Sequence, residues 1–319
     1  MLRLVADLGV ADRIEHDTRV TIGELAVGCG TLPQPLIRVL RALAAFGVFT
    51  VSADDQIGHT SRSRLLRTDA PNSMHYSARF WTAPGSWGAW GELDAAMSGR
   101  VPHEVAWNMG RFEYLRAHPE EARAFDAMMT NFPDNRHVAI AESYDFSAAA
   151  LIADIGGGTG QMLRQILARC PAPRGLLFDR DDVVCALHPA DLLEGRIEAV
   201  GGSFFEGIPS GAAIYMLVRV LHDWSDEDCV RILRACWAAM KPGAMLLICE
   251  QILEPDPTLG RPTGYLVDTQ MMAMFGSARE RTEQEFAILL SNAGFGLKRV
   301  IATDSPVWIV EAASQPEGC

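Results

Sequence analysis

A side chain that is to accept a proton needs a basic atom, a partner that orients it, and a place where a ligand can reach it. His222 closes the run Tyr215-Met-Leu-Val-Arg-Val-Leu-His222, an apolar strand pattern followed at once by a helix cap at Ser225. Open α/β sheets bind ligands outside the carboxyl ends of their strands, so this histidine stands where chemistry is done. Two carboxylates occupy comparable places. Glu250 ends the apolar stretch Leu246 to Cys249, and Glu280 lies in Ala278-Arg-Glu-Arg-Thr282, just ahead of a helix. If either accepts a proton from one ring nitrogen, the other nitrogen is left as an acceptor facing substrate. The competing readings are plain. A lone histidine is more often a structural hydrogen-bonder, and Glu280 between Arg279 and Arg281 also fits a solvated charge; Glu250, behind apolar residues, fits that description less well.

A second constellation lies upstream. Residues 152 to 160 run through Asp154 into a turn with glycines at Gly156, Gly157, Gly158 and Gly160. Glycine at a strand end lets the backbone approach a ligand that a Cβ would hold off. A dinucleotide fingerprint would require glycine at position 161, and Gln161 stands there. What remains is Asp-x-Gly-x-Gly-x-Gly, the turn that cradles the amino-acid end of S-adenosylmethionine, followed by Asp179 placed for ribose hydroxyls. The glycines alone also fit a tight turn in any α/β protein.

At 319 residues the chain is long enough for two domains, each with its own core. Its net charge of −12 disfavours nucleic-acid phosphates and anionic lipid as bulk partners. Seven cysteines, Cys29, Cys170, Cys185, Cys229, Cys236, Cys249 and Cys319, are scattered without a Cys-x-x-Cys pair, as expected of reduced cytosolic thiols. No apolar run approaches the roughly 20 residues that span a bilayer, and no basic-then-apolar leader comes first. A cytoplasmic protein without metal, membrane or nucleic-acid partners is expected.

Thr21 and Glu24 form a capping box that starts a short helix. A second helix is predicted from Pro33 to Phe46, with Leu36, Ile37, Leu40, Leu43 and Phe46 on one stripe, and Val48 to Thr60 reads as a hairpin around Asp54-Asp55. Together these suggest a winged-helix unit. Its second helix offers only Arg38 and Arg41 among apolar residues, which favours packing or dimerisation over DNA binding. From Asn72 to about Met129 aromatics recur, including Trp81, Trp87, Trp90, Trp107, Phe112, Tyr114 and Phe125; most should be helical core, and some could wall an apolar pocket. After Phe146 strands and helices alternate, implying a parallel doubly wound sheet. Strands are predicted near 151–155, 175–179, 197–200, 213–218 and 244–250, with a closing pair near 297–302 and 307–312. Helices are predicted from Gln161 to Ala168, Asp226 to Met240 behind Ser225, and Glu283 to Asn292 behind the box Thr282-Glu285.

Asp154-Ile-Gly-Gly-Gly-Thr-Gly160, Leu177-Phe-Asp179, Phe204-Phe-Glu-Gly-Ile-Pro209, Val220-Leu-His-Asp-Trp224 and Glu280-Arg-Thr282, with Arg41-Ala-Leu43 and Gly47-Val-Phe49 earlier, resemble the small-molecule O-methyltransferases of the plant caffeate and bacterial polyketide type. The resemblance implies a homodimer with an α/β class I Rossmann-like catalytic sheet, mostly parallel with an antiparallel last strand, preceded by a mainly helical winged-helix domain. It places a dimerisation and substrate-lid domain at 1–140 and an S-adenosylmethionine-binding domain at 141–319. It implies His222 as catalytic base, with Glu250 and Glu280 flanking it. Asp154, Gly156, Gly158, Gly160, Asp179, Arg180, Ser203, Phe204 and Arg219 would hold the cofactor. Phe125, Met129, Asp223, Trp224, Asp268, Met271, Met272 and Phe275 would line the acceptor. Ser203 stands where the family usually has aspartate, and Val218 where lysine is common, with Arg219 beside it. The expected reaction is methyl transfer from S-adenosylmethionine, leaving S-adenosylhomocysteine, to a hydroxyl of an aromatic or polyketide-like molecule without a metal. Transfer to nitrogen or carbon, a non-methylating reaction using the cofactor electrostatically, and a ligand-sensing DNA-binding regulator are the other readings.

Overall fold

Thr21 and Glu24 close their box as the spacing predicts: Thr21 Oγ1 accepts from Glu24 N at 3.2 Å, and Glu24 Oε2 accepts from Thr21 N at 3.0 Å. In the computed structural model, which describes residues 1–130 and 135–314, the chain forms two compact units, Met1–Pro133 and Asp134–Cys319. Cys319 lies outside the described residues.

The first unit opens with α1 (Leu2–Asp7), β1 (Arg19–Thr21), α2 (Ile22–Gly28), α3 (Pro33–Ala45), β2 (Phe49–Val51) and β3 (Gln56–His59). The three strands make one antiparallel sheet in the order β1-β3-β2. Leu36, Ile37, Leu40 and Leu43 of α3 join Val5, Ile14, Leu25 and Ile57 in one core. Phe46 does not: the helix ends at Ala45, and the ring is exposed. Six helices follow, α4 (Ser61–Arg64), α5 (His75–Phe80), α6 (Pro84–Gly91), α7 (Pro102–Trp107), α8 (Arg111–Ala117) and α9 (Pro119–Thr130). Tyr114 is buried among them, whereas Trp87 and Phe112 are exposed, so the aromatic stretch is only partly core. Arg111 and Glu121 form a buried ion pair at 3.0 Å, and Glu121 also accepts from Gly85 N and Tyr114 Oη. Buried charges persist only with such partners.

The second unit begins at α10 (Arg136–Ser143), whose Ile140 and Ala141 pack with Phe146 and Ile152. The expected boundary at 140/141 would cut this helix. Then come β4 (Leu151–Ile155), α11 (Gln161–Arg169), β5 (Arg174–Asp179), α12 (Asp181–Cys185), β6 (Ile197–Gly201), β7 (Ile214–Val218), α13 (Asp226–Ala239), β8 (Met245–Leu253), α14 (Pro262–Phe275), β9 (Arg281–Thr282), α15 (Glu283–Asn292), β10 (Phe295–Ile301) and β11 (Val307–Ser314). The sheet order is β6-β5-β4-β7-β8-β11-β10; β6 through β8 run parallel, and β11 enters antiparallel between β8 and β10. One face is covered by Ile232, Leu233 and Cys236 of α13 with Phe286, Leu289 and Leu290 of α15, the other by Met162, Leu163 and Ile166 of α11 with α10. The chain order reverses at β4, which pairs with β5 on one side and β7 on the other. That reversal opens the crevice in which doubly wound sheets bind ligands.

The predicted strands and helices of this unit are all present; α10, α12, α14 and β9 were not predicted. Helix α14 is apolar nearly all round, with no period to announce it. Glu250 does not end its strand as expected, because β8 runs on to Leu253, where β9 pairs parallel with it, Ile252 beside Arg281, and brings the Glu280 segment alongside. The box that starts α15 is intact, with Glu285 Oε2 accepting from Thr282 N at 2.8 Å. Thr282→Ala should therefore lower the unfolding free energy by about 1 kcal/mol, seen as a lower urea midpoint with an unchanged slope.

Candidate active site

At the end of β4 the turn takes Gly156, Gly158 and Gly160 to φ of +73°, +57° and +76°. A Cβ on Gly156 would stand 2.9 Å from Val220, and one on Gly157 within 2.6 Å of both Leu177 and Asp154; at Gly158 it would meet nothing within 4 Å, and backbone conformation alone selects glycine. Asp179, at the end of β5, accepts from Gly158 N at 2.8 Å and from Arg180 N at 2.7 Å. Arg180's guanidinium turns instead to the exposed Asp182, at 3.0 Å. Asp154 is buried, and neither carboxylate oxygen has a hydrogen-bond partner. Burial, helped by the nearby Asp179, pushes its carboxyl up to about 7. A buried carboxylate without a donor, beside a turn that excludes side chains, fits a ligand carrying positive charge.

The second cluster is built on a 3₁₀ turn, Leu221–Asp223, between β7 and α13. Glu250 Oε1 accepts from the N–H groups of Val220 and Leu221, each at 2.8 Å, which fixes this turn to β8. Its Oε2 accepts from His222 Nδ1 at 3.0 Å and from Arg219 Nη1 at 2.9 Å. Burial alone would raise the Glu250 carboxyl, but His222, Arg219 and these donors hold it well below the usual carboxylate range. An ionised carboxylate can only accept, so Nδ1 carries the proton and Nε2 is the ring's accepting atom. Nε2 lies 3.2 Å from Asp223 Oδ1. Burial and Arg219 push the imidazole down, but Asp223 and Glu250 outweigh them, and His222 sits above its ordinary value.

Glu280 is the expected site residue that the structure moves. Instead of flanking His222, it grips Arg219 in a fork, Oε1 to Nη2 at 2.7 Å and Oε2 to Nη1 at 3.0 Å. Arg219, expected among the cofactor ligands, gives its guanidinium to the two glutamates. The spacing could not distinguish a carboxylate on histidine from one reaching histidine through arginine. The Glu280 N–H donates to Asp268 of α14 at 2.9 Å. Phe204 and Trp224, expected on different ligands, meet edge to face with Phe205, at ring separations of 5.4 and 4.8 Å from Phe204. The Ser203 hydroxyl accepts from Phe205 N at 3.3 Å. Met271, Met272 and Phe275 are half-buried on α14. Phe125 and Met129 belong to α9 of the first unit, where Phe125 packs on Phe80 and Met129 is exposed.

Arg281 is the residue the sequence reading missed. It is fully buried rather than solvated. Nη1 donates to Leu221 O and Nη2 to Trp224 O, each at 2.9 Å, while Nε and Nη2 reach Asp226. It clamps the carbonyls on either side of His222. No local pattern announced it, because its place comes from the pairing of β9 with β8.

Residues 90–296 match the O-methyltransferase domain. The chain belongs to the O-methyltransferase family. A 3-amino-4-hydroxybenzoate 4-O-methyltransferase of Streptomyces cremeus is 38% identical, with 93% of this chain and 81% of that protein covered. The solved mitomycin 7-O-methyltransferase MmcR superposes with a TM-score of 0.88 at 34% identity, covering 98% of this chain and 93% of its own. An O-methyltransferase of neocarzinostatin biosynthesis, solved with S-adenosylmethionine and 2-hydroxy-5-methyl naphthoic acid, gives 0.82 at 31% identity, with 98% and 95% covered. The enzyme is thus an S-adenosylmethionine-dependent O-methyltransferase with a class I methyltransferase sheet. Among the described residues no helix of this O-methyltransferase is long and apolar enough to cross a membrane.

Because Arg281 holds two carbonyls of the His222 turn from a buried position, Arg281→Met should destabilise the enzyme by about 1–3 kcal/mol. Chemical denaturation measures this, and a loss below a few tenths of a kcal/mol would mean the turn holds itself.

Proposed function

We propose that the enzyme methylates a phenolic or enolic hydroxyl of an aromatic or polyketide-derived small molecule, with His222 as the base. The observation that carries this reading is the imidazole bound through Nδ1 to a buried, ionised Glu250, which leaves Nε2 to accept. S-adenosylmethionine, when bound, supplies an electrophilic methyl group on a cationic sulfur. Gly156, Gly158, Gly160 and Asp154 are the proposed cradle for its amino-acid end, Asp179 for the ribose, and Phe204 with Ser203 for the adenine. In-line displacement depends on alignment and on keeping water out. Trp224, Met271, Met272 and Phe275 serve that purpose by offering apolar surface. Asp223 and Asp268 are the proposed polar contacts to the acceptor; Phe125 and Met129 are added on the family resemblance alone.

His222 removes the acceptor proton at Nε2, and Glu250 steadies the imidazolium that results. A phenol begins about 3.5 pKa units above an ordinary imidazole. A histidine raised above its usual value is better matched to that proton, yet is usable only where the ring is still neutral. The rate should therefore fall as pH drops through the histidine's own raised midpoint. A proton acceptor of this kind favours transfer to oxygen over transfer to carbon or to an already basic nitrogen.

We also propose that the first unit makes a homodimer. Support comes from the family resemblance and from large apolar side chains exposed on that unit, among them Leu4, Val27, Leu32, Phe46 and Trp87.

His222→Ala should lower kcat by about 10²–10⁴ with little change in S-adenosylhomocysteine affinity. The loss should shrink as the acceptor hydroxyl becomes more acidic; near-wild-type turnover on a weakly acidic phenol would overturn the assignment. A second test follows from Asp154. With its carboxyl near 7 in the free enzyme, a cation beside it should favour ionisation, so cofactor binding near pH 6.5 should release protons and tighten as pH rises to 8. Calorimetry in buffers of different ionisation enthalpy measures the release, and Asp154→Asn should remove that part of it.

A further inference from the structure

Arg219 has a backbone that arginine rarely adopts, with φ of +55°, directly after β7. A non-glycine residue held there costs roughly 1 kcal/mol or more and persists only where its surroundings over-determine it. Here they do. The Arg219 N–H donates to Cys249 O at 3.0 Å, and the side chain makes three charge-assisted bonds to two carboxylates that are almost completely buried. The guanidinium shares Glu250 Oε2 with the Nδ1–H of the His222 ring, so two donors of the site meet on one oxygen. Glu280 has no other cation bonded to it among the described residues.

We propose that Arg219 is a positioning residue for His222: by gripping both glutamates it aims Glu250 at Nδ1 and keeps the ring able to take up a proton. This rests on the reading of His222 as the base. With a neutral imidazole, Arg219 offsets one of the two glutamates and a single negative charge is left. When the acceptor O–H breaks, its electron pair stays on oxygen and the proton bonds to Nε2. The four groups Arg219, His222, Glu250 and Glu280 then sum to zero. Without Arg219, the buried charges of Glu250 and of Glu280 behind it would be uncompensated, and would hold the ring as imidazolium before any acceptor arrives. Arg219 already acts in that direction, as one of the two influences that press the imidazole down.

The other charges around the ring leave this role to Arg219. Asp223, on the same turn, and Glu250, from β8, both favour the protonated ring. From α14, Asp268 spends an oxygen on the Glu280 N–H. Arg281, which touches the same turn, is paired with Asp226 and bonded to main-chain carbonyls. Asp154, at the end of neighbouring β4, is an acidic group and supplies no positive charge.

The test is the titration of the His222 ring by NMR in the ligand-free enzyme, beside the pH profile of kcat. Arg219→Gln should raise the ring midpoint by about one pH unit or more. The rate below the acid limb should then fall about tenfold, with recovery as pH is raised. Arg219→Lys should keep most of the wild-type midpoint. Glu280→Gln leaves Arg219 less neutralised and should move the midpoint the other way, downward, which keeps the proposal testable if Arg219→Gln does not fold. Arg219→Gln/Glu280→Gln, which removes one charge of each sign, should return close to wild type. A folded Arg219→Gln with an unmoved midpoint, or with a rate loss equal at all pH values, would overturn the proposal, as would an unmoved midpoint in Glu280→Gln. The ring titration does not require turnover. An active His222→Ala would thus defeat the reading of the base, whereas a static midpoint would defeat Arg219 alone.

Discussion

The carboxylate of Glu250 is the point on which the His222 turn hangs. It is wholly buried within β8, which runs on to Leu253, and it accepts from two backbone N–H groups, one imidazole and one guanidinium. A carboxylate taken out of water keeps its charge only if donors replace the water, and each donor that does so is fixed in return. The two backbone bonds set where Val220 and Leu221 lie, and so where His222 begins. The imidazole bond then sets which ring nitrogen can accept. Loop position and tautomer follow from one desolvated charge.

Arg281 supports the same turn from the opposite chemical side. Glu250 takes N–H groups, and Arg281 gives N–H groups to the carbonyls of Leu221 and Trp224. A three-residue 3₁₀ turn has too few internal hydrogen bonds to hold a geometry by itself. Its donors and acceptors are satisfied by side chains from β8 and from the β9 segment. The pairing of β8 with β9 therefore belongs to the candidate active site as much as to the sheet.

The glycine turn and the histidine turn lie beyond adjacent parallel strands, because β4 and β7 are neighbours at the point where chain order reverses. A contact joins them: the side chain of Val220 lies where a Cβ on Gly156 would have to go. The two turns are thus kept in register by strand pairing rather than by flexible loops. The electrostatics suit a cationic methyl donor. Asp154 stands without a hydrogen-bond partner beside the glycine turn, and Arg219 offsets only one of the two glutamates it binds.

Much of this was fixed by local pattern. Alternation of apolar runs with capped helices is a short-range signal, so the strands of the sheet and the boxes at Thr21 and Thr282 were legible residue by residue. The glycines of the β4 turn were legible for a similar reason, since each answers to a backbone angle or a close approach at its own position. The strand-end placing of His222 followed from the same periodicity. What the sequence left undecided were long-range pairings between charges. Glu280 and Arg219 looked like a flanking carboxylate and a cofactor ligand, and Arg281 was given no role. They became a fork, a bridge and a buried clamp once β9 had docked on β8. Helix α14 stayed hidden because it is apolar on most sides, and Phe46 looked like core because the stripe extended one residue past the helix that made it. Periodicity specifies which face of an element is apolar; which buried charge meets which is decided only when strands distant in sequence pair and exclude the water that would otherwise have satisfied them.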